Sequence, residues 1–145
     1  PYAQDALLSI QSVYTAMKQP EKYLEYLEKA ELVSVLRMKA NGDAILRKMD
    51  KLYLQNSNMS YVLSGENPDT GNARETIFYC WTKQKYDTVE SPVSDFEIDG
   101  KTFEVGGRNK GKKQISNLED AYVVKDTIEY VFDNQVPLWM FGFLY

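Results

Sequence analysis

An Asp-Gly pair at positions 99 and 100 constrains the fold of this chain more than any other short feature. Asp-Gly suits a two-residue type I′ turn, because both central residues of that turn have positive φ. On either side of the pair, apolar and polar residues alternate with the period of a β-strand. The sequence therefore predicts a β-hairpin with an apolar face, Phe96, Ile98, Phe103 and Val105, and a polar face, Asp95, Glu97, Thr102 and Glu104.

A two-residue loop also sets the register of this hairpin. Ile98 then lies opposite Lys101, and counting outward from that pair places Asp95 opposite Glu104. Directly opposed residues have Cβ atoms roughly 5 Å apart, and like charges at that distance are destabilising. We therefore expect a bound cation, a shared proton or a nearby basic group to offset the repulsion.

The composition excludes several classes of catalytic site. The 145 residues include no His, which removes Ser-His and Cys-His catalysis and metal binding by His. The one Cys, Cys80, excludes an intrachain disulfide and fits a reducing compartment, so we expect a cytoplasmic location. Because the formal net charge is −4, any nucleic-acid site must be a local basic patch. Catalysis, if present, must rest on carboxylates, Lys, Arg or Tyr.

The two ends of the chain suggest a piece of a longer protein. The chain starts at Pro1 without a Met and ends on the apolar run Val136–Tyr145, which is about half as long as a membrane helix. We therefore expect no membrane partner. No Gly-rich phosphate-binding loop occurs in the sequence.

The first part of the chain predicts helices followed by a β-hairpin. Apolar residues recur at helical spacing over 2–18, and Pro20 can open a second helix that runs to about Ala30. Strands over 32–37 and 51–54 flank a turn, so the order resembles a winged helix. A small α+β scaffold that binds nothing is an equal alternative, and the acidic residues of the second helix suit DNA poorly.

The second part predicts a mixed α/β layer. The turn-forming stretch 65–71 suggests a boundary between a winged-helix-like part, 1–65, and an α/β domain, 66–145. The fold class is therefore α+β, and one helix followed by a three-stranded meander and further strands is typical of an α/β sandwich. The predicted elements are helices over 57–63 and 72–85, strands over 88–89, 122–124 and 128–132, the central hairpin, and an apolar element over 137–145.

Three carboxylates can converge on the hairpin. Glu75 lies on the helix that precedes the sheet and joins Asp95 and Glu104. Mg²⁺ commonly binds one or two carboxylates together with waters and phosphate, and a nearby Lys or Arg would stabilise developing negative charge. Each acid also has an interpretation without a functional role. Glu75 would then cap its helix, and Asp95 and Glu104 would lie on a solvent face where Lys101 or Arg108 relieves their repulsion.

A basic run follows the hairpin. Its two interpretations are a solvated loop and a set of phosphate contacts beside the acids. Its members are Arg108, Lys110, Lys112 and Lys113.

Five separated stretches also occur in a recognisable order: YLEYLEKAELVSVLR (23–37), KLYLQNSNMSYVL (51–63), ENPDTGNARETIFYCW (66–81), DFEIDGKTFEVGGRNKGKKQI (95–115) and VPLWMFGFLY (136–145). In this order they resemble the C-terminal region of a large group of prokaryotic AAA-type ATPases. In that group an ATPase module precedes a winged-helix segment and a C-terminal domain of unknown function, which is similar to the restriction-endonuclease-like fold of PD-(D/E)xK nucleases.

The resemblance implies site residues and a departure from the family pattern. It matches Glu75, Asp95 and Glu104 to the three nuclease acids that hold Mg²⁺. The Lys expected two residues after Glu104 is Gly106, so the basic group would have to come from Arg108 or Lys110. The proline of the family pattern is replaced by Ser94, which precedes Asp95.

The resemblance also implies partners. ATP would bind only the missing N-terminal ATPase module, which would be one partner of this region. We expect a non-ATPase module that engages DNA or a protein and carries a degenerate nuclease-like site. The alternatives are an active Mg²⁺-dependent nuclease and a module that binds protein only.

Overall fold

The computed structural model describes residues 12, 15, 18–39, 51–64, 67–111 and 115–144. The helix predicted over 2–18 lies almost entirely outside these residues and stays a prediction. The chain is a mixed α+β protein, as the sequence predicts. The described elements are α1 Pro20–Lys29, β1 Val33–Leu36, β2 Lys51–Leu54, α2 Asn58–Ser64, α3 Thr70–Thr82, β3 Thr88–Glu90, β4 Phe96–Ile98, β5 Lys101–Gly106, β6 Ala121–Lys125, β7 Gln135–Pro137 and a 3₁₀-helix Leu138–Phe143.

The N-terminal elements follow the predicted order. Helix α1 begins with Pro20 in its first turn, where a missing N–H costs nothing. Strands β1 and β2 pair antiparallel, with Val33 opposite Leu54 and Leu36 opposite Lys51. The two predicted strands are therefore confirmed, whereas a winged-helix arrangement stays a prediction. Among the described residues, no helix is long and apolar enough to cross a membrane.

The larger sheet has the strand order β3-β4-β5-β6-β7. The first three strands form an antiparallel meander, and β6 and β7 then add in parallel. The central turn has the predicted geometry, since φ is 50° at Asp99 and 79° at Gly100. Ile98 pairs with Lys101 and Phe96 with Phe103, which confirms the predicted register.

Aromatic packing joins helix α3 to the sheet. Phe78 of α3 is fully buried, and its ring centroid lies 4.9 Å from that of Phe96 and 5.5 Å from that of Phe103. The N-terminal hairpin shares this core, because Tyr53 packs in it and the Tyr79 hydroxyl donates to the Val35 carbonyl oxygen at 2.9 Å. The hairpin β1–β2 therefore lies against α3, and β2 can contribute residues to the edge of the sheet.

Helix α3 begins earlier than the sequence predicts. Asp69 is the N-cap, and its carboxylate accepts hydrogen bonds from the backbone N–H groups of Gly71 and Asn72. A helix start at Asn72 is therefore wrong, and so is a capping role for Glu75. The carboxylate of Asp69 also lies at the positive end of the helix dipole, where a negative charge is favourable.

The strand predicted over 128–132 is wrong. The described chain turns there, and Tyr130 and Phe132 are 80% and 74% exposed. Phe132 and Gln135 exchange two backbone hydrogen bonds around a turn in which Asp133 has φ of 54°. The strand at the sheet edge is β7, which begins only at Gln135. The alternation of apolar residues is typical of a strand, but Tyr130 and Phe132 face solvent here.

We predict that Phe78→Ala lowers the free energy of unfolding by about 3–5 kcal/mol, because it removes the ring on which helix, sheet and C-terminal 3₁₀-helix all pack. Urea unfolding followed by Trp fluorescence measures the change. Val62→Ala is the matched control, since Val62 is 83% exposed on α2 and should change stability by less than about 0.5 kcal/mol. A loss below about 1 kcal/mol for Phe78→Ala would contradict this packing.

Candidate active site

The three predicted acids lie together where α3, β4 and β5 meet. Glu75 lies on α3, Asp95 directly precedes β4, and Glu104 lies within β5. Burial raises the pKa of both Glu75 and Asp95, and the charges of the acids interact, since Asp95 adds to the shift of Glu75 and Glu104 adds to the shift of Asp95. The structure therefore brings together the carboxylates that the hairpin register and the family pattern single out.

Glu104 is a buried carboxylate, with its side chain only 1% exposed. The Ser94 hydroxyl donates a hydrogen bond to its Oε2. Its Oε1 has no hydrogen-bond partner with favourable angles among the described residues, but the Lys110 ammonium lies 2.5 Å away as an ion pair. The alternative that places Glu104 on a solvent face is therefore excluded.

Asp95 lies between a backbone donor and a second ammonium group. Its Oδ2 accepts a hydrogen bond of 2.8 Å from the N–H of Val105. Its Oδ1 lies 3.9 Å from Nζ of Lys51. Burial raises the pKa of Asp95 and the charge of Glu104 adds to this, against the lowering effect of the Val105 hydrogen bond and of Lys110 and Lys51. The two carboxylate oxygens of Asp95 therefore have different partners, a backbone N–H at Oδ2 and an ammonium group at Oδ1.

Glu75 is held by a tyrosine from the N-terminal hairpin. The Tyr53 hydroxyl donates a 2.7 Å hydrogen bond to Oε2 of Glu75. Burial raises the pKa of Glu75, and it outweighs the lowering effect of this hydrogen bond. Burial, followed by the hydrogen bond to Glu75, also raises the pKa of Tyr53, so the phenol stays protonated and acts as a donor.

Lys110 reaches the site because position 106 is glycine. The backbone N–H of Lys110 donates to the carbonyl oxygen of Gly107 at 3.0 Å, and this turn folds the Lys110 stem back over Gly106. A Cβ added at Gly106 would lie 2.5 Å from Cβ and 2.7 Å from Cδ of Lys110, which is too close for unshifted atoms. The Lys110 side chain therefore occupies the space that a side chain at position 106 would fill.

The electrostatics of Lys110 favour the ammonium form. Burial alone lowers its pKa, but the close ion pair with Glu104 and the charges of Asp95 and Glu75 outweigh burial and raise it. Lys110 is therefore a permanent cation at neutral pH. It is a charge-stabilising group in this site rather than a proton acceptor.

The other members of the basic run are placed differently. Arg108 is exposed in the turn, and its carbonyl oxygen accepts a 3.5 Å hydrogen bond from Nζ of Lys125. Arg74 of α3 is not part of this run, but it lies beside Gly107 and forms a 2.5 Å ion pair with Asp126. Lys112 and Lys113 lie outside the described residues.

Sequence reasoning missed three residues of the site. Lys51 and Tyr53 are two positions apart on β2 and so project from the same face of that strand. The alternation of β2 predicts that these two side chains share one face of the strand, but it does not predict that this face meets Glu75. Ser94 was noted only as a replaced proline, whereas its hydroxyl binds Glu104.

The carboxylates of the cluster are oxygen donors of the kind that a hard divalent cation binds. Within the described ranges, no three acidic or Cys side chains already stand in ligating geometry. Mg²⁺ does not require three, since one or two carboxylates plus waters and a substrate phosphate complete its shell. Asp95 and Glu104 are the carboxylates that would supply two such ligands, and each already lies beside an ammonium group, that of Lys51 and that of Lys110.

Comparison with known proteins gives no match to this chain, whether with protein-family models, curated proteins or solved structures. The geometry of the site is therefore the basis for the functional argument.

We predict that Glu75→Gln stabilises the protein at about pH 7.5 and leaves its stability unchanged near pH 4. Because burial raises the pKa of Glu75, the folded state binds its proton more tightly than the unfolded state. The resulting stability is complete below the unfolded pKa and is lost as the pH rises through the folded pKa. Gln keeps the acceptor for Tyr53 and removes the charge.

Thermal unfolding at both pH values measures this effect. Glu129→Gln is the control, because Glu129 is an exposed carboxylate on the turn before β7. A lower midpoint for Glu75→Gln than for wild type at the higher pH would contradict the assignment of Glu75 as a destabilising buried charge.

Proposed function

We propose that this chain carries a divalent-metal-dependent phosphodiesterase site that cleaves nucleic acid, in a domain similar to the restriction-endonuclease-like fold. One observation carries the proposal: the Lys110 ammonium lies 2.5 Å from Glu104, and its stem fills the space above Gly106. The lysine that the nuclease pattern expects two residues after Glu104 is thereby supplied from the following turn. The site then has three acids and a lysine rather than acids alone.

Each side chain has a role that its surroundings support. Asp95 and Glu104 would hold Mg²⁺, which when bound polarises the phosphate and offsets its charge. Glu75 would accept a proton from the attacking water, as the raised pKa that burial gives it favours, and the Tyr53 hydrogen bond would orient its carboxylate. The water oxygen forms a bond to phosphorus, and the bond from phosphorus to the leaving oxygen breaks. Lys110 stabilises the negative charge that develops on the phosphoryl oxygens.

Phosphate contacts outside the reacting centre come from a local basic rim. Arg108 is exposed in the turn beside the site, and Lys125 lies at the end of β6 next to Gly106. Such contacts position a nucleic-acid backbone without reading its sequence. A rim of this kind is needed because the chain as a whole has a net charge of −4.

The wider context of this site is also a proposal. We propose that the chain is the C-terminal, non-ATPase region of an AAA-type ATPase, in which a missing ATPase module controls access of DNA to the site. The positions of Glu75 and Glu104 support it, because the pattern of that family places acids on the helix before the sheet and on the third strand of the meander, and Asp95 directly precedes the second strand. ATP would bind only the missing module.

A protein-binding module is the second candidate, and one observation favours it. Large apolar side chains are exposed near the sheet edge at β7 and on the 3₁₀-helix that follows. Such groups are typical of protein interaction surfaces. They are Tyr130, Val131, Phe132, Trp139, Met140 and Phe143. In this alternative the acid and lysine cluster is a degenerate remnant.

Cleavage assays test the nuclease proposal. With Mg²⁺ or Mn²⁺ and single-stranded, duplex and branched DNA, we expect cleavage by wild type, and a loss of about 10²- to 10³-fold in rate for Lys110→Met. Asp95→Asn and Glu104→Gln should abolish metal-dependent cleavage. Lys101→Met is the matched control, because Lys101 is exposed on the same strand as Glu104. Equal cleavage by all variants, or none by wild type, contradicts the proposal.

An exchange of residues tests the path of Lys110 directly. Gly106→Ala should lower the rate, because a Cβ there displaces the Lys110 stem from Glu104. Gly106→Lys combined with Lys110→Gly moves the ammonium group to the position that the nuclease pattern expects, and we expect it to recover at least about a tenth of the rate lost by Lys110→Gly alone. No recovery in a folded double variant would argue against a relocated lysine.

A further inference from the structure

A cavity of about 210 Å³ lies between the end of helix α3, the tip of the β4–β5 hairpin and the C-terminal 3₁₀-helix. Helix α3 ends at Thr82, and the backbone N–H of Tyr86 then donates to the Thr82 carbonyl oxygen in a turn. The hairpin turns at Asp99 and Gly100, so the space between the two elements is filled by neither. Among the described residues that line it, none belongs to the acid and lysine cluster, so the cavity is a separate feature.

The wall of this cavity is apolar and largely aromatic. Ile98 and Phe103 are 7% and 9% exposed, and the rings of Phe103 and Phe141 meet edge to face with their centroids 6.0 Å apart. Thr82 is fully buried, and its hydroxyl donates to the carbonyl oxygen of Phe78 at 2.9 Å, so its proton is already used within the helix. The residues that form the wall are Thr82, Tyr86, Ile98, Phe103, Phe141 and Leu144.

The mouth of the cavity has no net charge. Asp99 and Lys101 are the charged residues that border it, both are exposed, and their charges are opposite. Exposed charges of this kind contribute little to binding, because water and salt screen them. A charged group inside the cavity would lose its hydration without gaining a buried partner, so the cavity favours an uncharged ligand.

We propose that this cavity is a binding site for a small, uncharged aromatic molecule of one ring or two fused rings, such as a phenol or an indole. A dry apolar cavity of roughly 150 Å³ accommodates a benzene ring, so this one has room for a ring with a substituent or for a second fused ring. The aromatic wall favours an aromatic ligand, since edge-to-face and offset ring contacts add to the gain from burying apolar surface. The site is independent of the proposed nuclease function.

Titration of the wild-type chain with indole and with phenol, followed by NMR of the backbone amides, tests this assignment. We expect both probes to bind with dissociation constants on the order of 0.1–1 mM, as befits ligands of so few atoms. The amide shifts should be confined to residues 82–86, 98–103 and 141–144. Free tryptophan should bind at least about tenfold more weakly than indole, because its two charged groups lose hydration.

Two variants fill the cavity from different sides. Leu144→Trp and Ile98→Phe should each weaken indole binding at least about tenfold, because the larger side chain takes the space of the ligand. Leu118→Trp is the matched control, since Leu118 is 39% exposed and does not line the cavity, and it should change indole affinity by less than about twofold. Thermal unfolding checks that each variant is folded.

Three outcomes would overturn the proposal. The first is no binding of either probe by wild type, or shifts that centre on the exposed side chains of Phe132 and Trp139 instead of the cavity. The second is unchanged indole affinity in both filled variants when both are folded. The third is free tryptophan that binds as tightly as indole. None of these outcomes bears on the nuclease proposal, which the cleavage assays test separately.

Discussion

The buried charge of Glu104 is the constraint on which the rest of this structure depends. A carboxylate that is 1% exposed loses most of its hydration, and it is tolerated in a protein interior only with a cation or strong donors beside it. Ser94 supplies one donor and Lys110 the cation. Because Lys110 comes from a turn after the strand, its stem must cross the backbone, and only glycine at position 106 leaves the space. One buried charge thus accounts for the residues at 94, 106 and 110.

The remaining acids are positioned by packing rather than by each other. Phe78 fixes α3 on the sheet, and this holds Glu75 near the start of β4. The hairpin β1–β2 packs in the same core, so Tyr53 and Lys51 reach the cluster. Burial, and to a smaller extent repulsion between the carboxylates, raises the pKa values of Glu75 and Asp95, so the site is held in place at a cost in stability. Clusters of this kind are typical of functional sites, where activity and stability conflict.

Much of the fold and the acidic half of the site could be predicted from the sequence, because both follow from local rules. Asp99 and Gly100 determine the turn, the turn determines the register, and the register brings Asp95 next to Glu104. Local rules do not predict which elements pack against each other in the tertiary structure. The path of Lys110 depends on a turn and on free space above Gly106, and the contribution of β2 depends on how two hairpins pack. The strand predicted over 128–132 was wrong because periodicity does not reveal whether a neighbouring strand is present.

The most direct test of this account is a crystal structure of the protein soaked in Mn²⁺, with anomalous diffraction used to locate the metal. We predict an anomalous peak between the carboxylates of Asp95 and Glu104, with the Lys110 stem still over Gly106 and its ammonium group beside the metal ligands. Absence of any peak there at saturating Mn²⁺, with the ion pair of Lys110 and Glu104 intact, would contradict it and would leave the cluster as a structural ion pair.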